Sequence, residues 1–131
     1  IRHIKTYKFT LFTSMMELVA LLSSGKGSWG QVSGLMKKGE WDKIIILGDD
    51  FAKEFTHEKK FEFVKIDTSK KLVDLKKEIM EKLKDKLSGI EVALTIASGN
   101  GKEHMALISA LISIPVGIRF VALTQEGIIY I

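Results

Sequence analysis

The sequence predicts an α/β domain with a Rossmann-like, doubly wound and mainly parallel sheet of five to six strands, closed by a C-terminal hairpin. Strand-like and helix-like segments alternate along all 131 residues, as in consecutive βαβ units. After its lysine, the run Lys43–Leu47 is continuously apolar, which is typical of a strand buried on both faces of a parallel sheet. The segment Lys70–Leu87 repeats leucine and isoleucine at spacings of three and four, the stripe of a helix packed on such a sheet.

The first predicted elements lie in the N-terminal third of the chain. Lys8–Thr13 is rich in aromatic and β-favouring residues and predicts the first strand. Ser14 is placed to cap a helix from Met15 to about Ser23, which a glycine-rich break follows. A second helix is predicted from about Trp29 to Lys38, since a glycine comes directly after it.

The remaining elements keep the same alternation to the end of the chain. Pro115 and Gly117 end the last helix, and Gln125-Glu126-Gly127 supplies the hairpin turn. Neither a repeat nor a linker interrupts the pattern, so a single domain over residues 1–131 is predicted. The predicted elements are the strand Lys43–Leu47, a short helix within Asp49–Phe55, the strand Phe61–Ile66, the helix Lys70–Leu87, the strand Ile90–Ala97, the helix Lys102–Ser113, and the hairpin strands Ile118–Leu123 and Ile128–Ile131.

Composition excludes several classes of function. The chain has no cysteine, which excludes a disulfide framework, a cysteine nucleophile and thiolate metal ligands. Its three histidines are too scattered for a zinc site, so neither a metal nor another cofactor is expected. No apolar stretch approaches the ~20 residues of a membrane span, and the first residues do not read as a secretory signal. A cytoplasmic protein without a membrane partner is therefore expected.

The net charge of +4 comes mostly from lysine. In Lys70–Lys86 the lysines alternate with four acidic residues, a pattern typical of a solvated helix face with charge pairs. Direct DNA binding is therefore not expected. The mild positive excess would still attract an anionic ligand.

The best candidate ligand loop is Ser98-Gly99-Asn100-Gly101-Lys102, which joins a buried strand directly to a helix. Open α/β sheets bind ligands at the carboxyl ends of their strands. The two glycines let the backbone approach a ligand, and the helix N-terminus offers free N–H groups. Lys102 opposes the helix dipole unless an anion such as phosphate lies nearby. Compensation of Lys102 by Glu103, and a turn that only makes the bend, are the alternatives.

Two other motifs are weaker. The loop is not a Walker A loop, because Glu103 stands where that motif needs Ser or Thr. Gly25–Gly30 matches GxGxxG, and Asp49 or Asp50 follows at about the expected distance, yet the segment before it is predicted to be helical. An interhelix turn is therefore favoured there, with a basic loop over a ligand and a dinucleotide site as alternatives. Asp49 and Asp50 are interpreted as helix caps, with a base or metal ligands as the alternative.

The segment Ala97–Glu103 resembles the hydroxyl-glycine-glycine-x-lysine loop of the CRISPR-associated Rossmann-fold (CARF) domains, which precedes a Met- and Ala-rich helix. Asn100 replaces the usual second glycine. The alternating units and the terminal hairpin extend the resemblance over most of the chain. It implies a homodimer that binds a cyclic oligoadenylate and regulates an effector, with the ligand contacted by Thr13, Ser14, Ser98, Gly99, Asn100, Gly101 and Lys102.

Several functions stay open at this point. A stand-alone chain of this family would sense the nucleotide in trans or cleave it, with Lys102 and Ser14 stabilising the scissile phosphate. A small Rossmann enzyme acting on a phosphorylated metabolite or dinucleotide is the alternative, and an interaction domain with a vestigial site is the third. The apolar ending Gly127–Ile131 predicts that this edge packs on a homodimer mate or on a further domain.

Overall fold

A computed structural model describes residues 16–23 and 28–131, which form a six-stranded sheet and its helices. The sheet is parallel except for its last pair, an antiparallel hairpin, so the predicted α/β class and C-terminal hairpin are confirmed. A short 3-10 helix covers Phe51–Glu54. The strands are β1 (Glu17–Leu22), β2 (Lys43–Gly48), β3 (Glu62–Lys65), β4 (Glu91–Thr95), β5 (Gly117–Thr124) and β6 (Gly127–Tyr130), and the helices are α1 (Trp29–Lys38), α2 (Leu72–Leu83) and α3 (Gly101–Ser113).

The helix predicted from Met15 to about Ser23 is wrong, because Glu17–Leu22 forms the strand β1. Every residue of β1 is buried, and parallel pairing with β2 and β4 satisfies its backbone on both sides. A short run that is buried on both faces has no period that separates a strand from a buried helix. The predicted strand Lys8–Thr13 lies outside the described residues.

The strand order β3-β2-β1-β4-β5-β6 runs outward from β1 in both directions. The chain therefore turns toward one edge after β1 and toward the other after β4. In open α/β sheets, a crevice forms at the carboxyl ends of the two strands where the order reverses, and ligands bind there. Ser23, which follows β1, and the loop that follows β4 flank this position.

Alternate residues of the central strands supply two apolar cores on opposite faces of the sheet, as expected from the period of two along a strand. On one face, Val19 and Leu21 of β1 pack with the inner sides of α2 and α3. On the other face, Leu18 and Ala20 pack with α1, through Val32, Leu35 and Met36. Both faces of the central strands are therefore covered, as the continuous apolar run of β2 predicts.

A buried carboxylate fixes the entrance to β4. The side chain of Glu17, at the start of β1, is 2% exposed. Its Oε1 accepts hydrogen bonds from the backbone amides of Ser88 and Gly89, both at 3.1 Å. Its Oε2 accepts one from the Ser88 hydroxyl at 3.2 Å. The loop before β4 is therefore tied to β1 by three bonds to one ionisable side chain.

The remaining elements match the sequence prediction with shifted ends. The helix predicted over Lys70–Leu87 is shorter and covers Leu72–Leu83. Its predicted stripe is confirmed, since Leu75, Ile79 and Leu83 are all buried. No helix in the described parts of the chain is long and apolar enough to cross a membrane.

Candidate functional site

The carboxyl ends of β1 and β4 are joined by a direct hydrogen bond. The backbone amide of Ser23, just after β1, donates to the Ser98 hydroxyl oxygen at 2.8 Å. Ser98 is 1% exposed. This candidate ligand residue thus holds the two sides of the crevice together, and its hydroxyl oxygen already has a protein partner.

The glycine-rich segment Gly25–Gly30 lies between a strand and a helix, because β1 ends at Leu22 and α1 begins at Trp29. Its interpretation as an interhelix turn is therefore wrong. A glycine-rich segment that follows a strand and opens a helix has the context of a phosphate-binding fingerprint. Residues 24–27 lie outside the described residues, as do Thr13 and Ser14 of the predicted site.

Gly99 is a glycine for a steric reason. Its φ angle of +106° lies in a region that residues with a Cβ rarely adopt. A Cβ at this position would also stand 2.5 Å from Cδ2 of Leu21, a residue of β1. The loop after β4 therefore lies directly on β1, which brings the candidate loop to the reversal of strand order.

Asn100 caps α3 in a reciprocal arrangement with Glu103. The Asn100 side chain accepts from the Glu103 amide at 2.9 Å, and Glu103 Oε1 accepts from the Asn100 amide at 3.0 Å. The spacing of an Asn and a Glu three residues apart is a capping-box signal, so the sequence did contain it. This box uses two of the four N-terminal amides of α3. The amides of Gly101 and Lys102 have no acceptor within the helix, and amides at this end of a helix are able to bind an anion.

Lys102 contacts the loop between β3 and α2. Its Nζ donates to the backbone carbonyl oxygens of Thr68 and Lys70, both at 2.8 Å. The carboxylate of Glu103 accepts from the Asn100 amide instead, so the structure does not have the alternative arrangement in which Glu103 compensates Lys102. No sequence signal could have revealed these partners, because backbone carbonyls belong to every residue type.

Asp49 follows the last residue of β2 and caps the 3-10 helix, as predicted. Asp50, the other predicted cap, makes no side-chain capping bond, so that part of the prediction is wrong. Its Oδ1 accepts from the amides of Phe51 and Ala52, at 3.0 and 3.3 Å. Its Oδ2 accepts from the Thr68 hydroxyl at 3.3 Å. Thr68 is thus held by Asp49 through its side chain and by Lys102 through its carbonyl oxygen. These contacts connect the loops that follow β2, β3 and β4.

A cleft of about 450 Å³ lies at the carboxyl ends of β2 and β3, lined by residues 49–51 and 65–69. The ammonium groups of Lys53 and Lys65, each 3.0 Å from Asp50, lower the pKa of that carboxyl. The hydroxyl and amide of Ser69 lower the pKa of Asp67. Both acids are therefore charged at neutral pH. In the part of the chain that the structure describes, no group of three or more His, Asp or Glu side chains could hold a metal ion.

A larger cleft, of about 900 Å³, lies at the opposite end of the sheet. It surrounds the start of β2 and the residues before β3, and its walls include Trp41 and Phe61. Lys59, also on its wall, already donates to the Gly39 carbonyl oxygen at 2.8 Å. Since ligands of open α/β sheets bind at the carboxyl ends of strands, the crevice between β1 and β4 is the better candidate site.

Comparison with models of known protein families gives no match, and comparison with curated proteins gives no significant match. The support for a function therefore comes from the residues and the geometry of the crevice.

Proposed function

We propose that this chain is a nucleotide-sensing domain of the Rossmann-like, doubly wound type, which binds a cyclic oligoadenylate-type ligand between the carboxyl ends of β1 and β4. The supporting observation is that the glycine-containing loop after β4 contacts the end of β1, where the strand order reverses. The bond from the Ser23 amide to Ser98 and the close approach of Gly99 to Leu21 hold this loop against β1. The resemblance of Ala97–Glu103 to the CARF loop selects the cyclic oligoadenylate among phosphate-bearing ligands.

The ligand phosphate is proposed to lie at the N-terminus of α3. The capping box occupies the amides of Asn100 and Glu103, so those of Gly101 and Lys102 are left for a phosphate oxygen. Positive helix dipole and the Lys102 ammonium both favour an anion there.

A dinucleotide-binding Rossmann enzyme is the second candidate. The GxGxxG segment between β1 and α1 favours it, as does an acid directly after β2, where such folds bind a ribose. Against it, both carboxylate oxygens of Asp49 already accept protein hydrogen bonds, from the amides of Phe51 and Ala52 and from Thr68. We therefore place the sensor first.

The test is a binding titration with cyclic tetra- and hexa-adenylate, with NAD, ATP and AMP as comparators. Gly101→Pro removes one candidate phosphate-binding amide while keeping a residue that helices favour at their first position. The preceding Asn100 has φ −114° and ψ 176°, which a following proline tolerates. Gly101→Ala keeps the amide, and nothing lies within 4 Å of the added Cβ.

We expect a ring to bind wild type and Gly101→Ala alike, and Gly101→Pro about tenfold more weakly, since one hydrogen bond to a charged group is lost. Thermal shift and calorimetry measure this. Binding of NAD or a mononucleotide without either ring would favour the Rossmann enzyme. Equal binding by all three proteins would move the ligand away from α3.

The proposed sensor is a homodimer, and its mating face lies on the side of the sheet that carries α3. Ile112 of α3 is 61% exposed and Ile129 of β6 is 42% exposed. Phe120 of β5 shares this side and is only partly buried. All three side chains are uncharged, so a second copy meets them without repulsion, as a twofold interface requires.

Ile112→Asp is expected to convert the dimer to a monomer, because two carboxylates would be buried across the interface. Ile90→Asp is the matched control, since Ile90 is 81% exposed and lies just before β4, at the amino ends of the strands. Sedimentation velocity measures both. A monomeric wild type, or dissociation by both variants alike, would contradict this face as the interface.

A further inference from the structure

We propose that Lys102 is a coupling residue, which exchanges the carbonyl oxygens of Thr68 and Lys70 for a ligand phosphate and thereby releases residues 68–71 of the loop between β3 and α2. This inference rests on the proposed function, because it assumes an anionic ligand at the N-terminus of α3. It adds how occupancy of the crevice reaches a second, exposed surface of the domain.

Before a ligand binds, Lys102 at the start of α3 is hydrogen-bonded to the loop between β3 and α2. Lys102 Nζ lies 2.8 Å from both carbonyl oxygens, and its partners are 34 and 32 positions away in the sequence. The two bonds therefore join the β4–α3 connection to the β3–α2 connection. Lys71, at the start of α2, makes no side-chain capping bond. The Lys102 ammonium is thus one of the contacts that fix this end of α2, beside the bonds of Ser69 to Asp67 and the ion pair of Lys70 with Glu78.

A phosphate is expected to bind the Lys102 ammonium more strongly than the carbonyl oxygens of Thr68 and Lys70 do. A carbonyl oxygen is a neutral acceptor, whereas a phosphate oxygen is charged, so the Lys102 ammonium gains an attraction between opposite charges that the carbonyl oxygens do not supply. The lysine stem is flexible and carries a compact charge at its end. Lys102 is also one of the two residues whose backbone amides face the proposed phosphate. A phosphate bound there is within reach of the same residue's ammonium.

The loop between β3 and α2 makes further hydrogen bonds, and these determine which neighbouring elements a change in the loop can reach. The Thr68 hydroxyl donates to Asp49 at 3.3 Å, and Asp49 caps the 3-10 helix Phe51–Glu54. The Asp67 amide donates to Glu78 of α2 at 3.0 Å. These bonds keep the loop attached at its β3 end, so we assign the change to residues 68–71. An effector contact on this part of the surface would differ between the empty and the occupied states.

The test is hydrogen–deuterium exchange of the whole chain, with and without saturating cyclic tetra-adenylate. In wild type, the ligand is expected to slow exchange at residues 99–104 and to speed exchange at residues 68–71 about fivefold, the effect of losing hydrogen bonds worth about 1 kcal/mol. Lys102→Arg keeps the response. In Lys102→Met, residues 68–71 exchange fast without ligand, and ligand changes them no further. Lys71→Met, a control in the same loop, responds like wild type.

The outcomes separate the two proposals. Protection at residues 99–104 without faster exchange at 68–71 overturns the coupling role and leaves the binding site standing. A response of residues 68–71 that persists in Lys102→Met also overturns it, because the lysine would then not carry the change. Absence of both binding and protection overturns the proposed function and the coupling together.

Discussion

Replacing Gly99 with alanine is expected to lower the free energy of unfolding by about 3 kcal/mol. Two penalties add. The φ angle of +106° strains any residue with a Cβ. The new methyl group would also stand 2.5 Å from Leu21 Cδ2 and 2.9 Å from Glu103 Oε1. For a domain of this size, the loss corresponds to a fall in melting temperature of roughly 10 °C.

The same loop supplies the matched control. Gly101, two residues on, begins α3, and a Cβ there meets nothing within 4 Å. Gly101→Ala is therefore expected to leave stability unchanged or slightly raised, since alanine favours a helix. Urea denaturation of the three proteins measures the difference. Equal losses in both variants would mean that the loop does not lie on β1 as the structure has it.

The steric need for Gly99 connects stability to the candidate site. What the added methyl group would strike is a side chain of β1, and Glu103, the other contact, is part of the capping box of α3. The close packing of the loop after β4 on β1 is thus the same packing that excludes a side chain at residue 99. Residue 99 therefore has to be a glycine for two reasons, its φ angle and its close contacts with Leu21 and Glu103.

The fold class was predictable because β2 and α2 have strong local patterns. The run Lys43–Leu47 has no polar interruption, and the stripe of α2 repeats over three turns. β1 has neither signal. All six of its residues are buried, including Glu17, so the period of two that marks a half-exposed strand is absent. Its partners β2 and β4 lie far away in the sequence, and local propensity does not report them.

The missing strand signal of β1 also changes how the GxGxxG segment is interpreted. A helix over residues 15–23 would leave the GxGxxG segment without a strand directly before it, which favours a turn between two helices. With β1 in place, the segment follows the central strand of the sheet and opens α1. The hydrogen-bond partners of Lys102 were not predictable for a different reason. Carbonyl oxygens of Thr68 and Lys70 are brought to the lysine by the packing of α2 beside α3, which no local pattern encodes.

Replacing Glu17 with alanine is also expected to lower the free energy of unfolding by about 3 kcal/mol, because three hydrogen-bond donors would lose their buried acceptor. The backbone amides of Ser88 and Gly89 and the Ser88 hydroxyl all donate to this one carboxylate. The expected damage is local to the loop before β4, so hydrogen exchange at residues 88–89 should rise with the loss of stability.

Glu17→Gln tests whether a carboxylate is needed at this position, because glutamine keeps a hydrogen-bond acceptor and fills the same space. Glutamine has the same shape, and its carbonyl oxygen can keep both backbone amides while the Ser88 hydroxyl turns to accept from its NH2 group. We expect a loss of about 1 kcal/mol for Gln against about 3 kcal/mol for Ala, measured by urea denaturation. If Gln were as damaging as Ala, the negative charge itself would hold the loop. If neither variant lost stability, the three bonds would contribute nothing, and the placement of β4 beside β1 would depend on its apolar core alone.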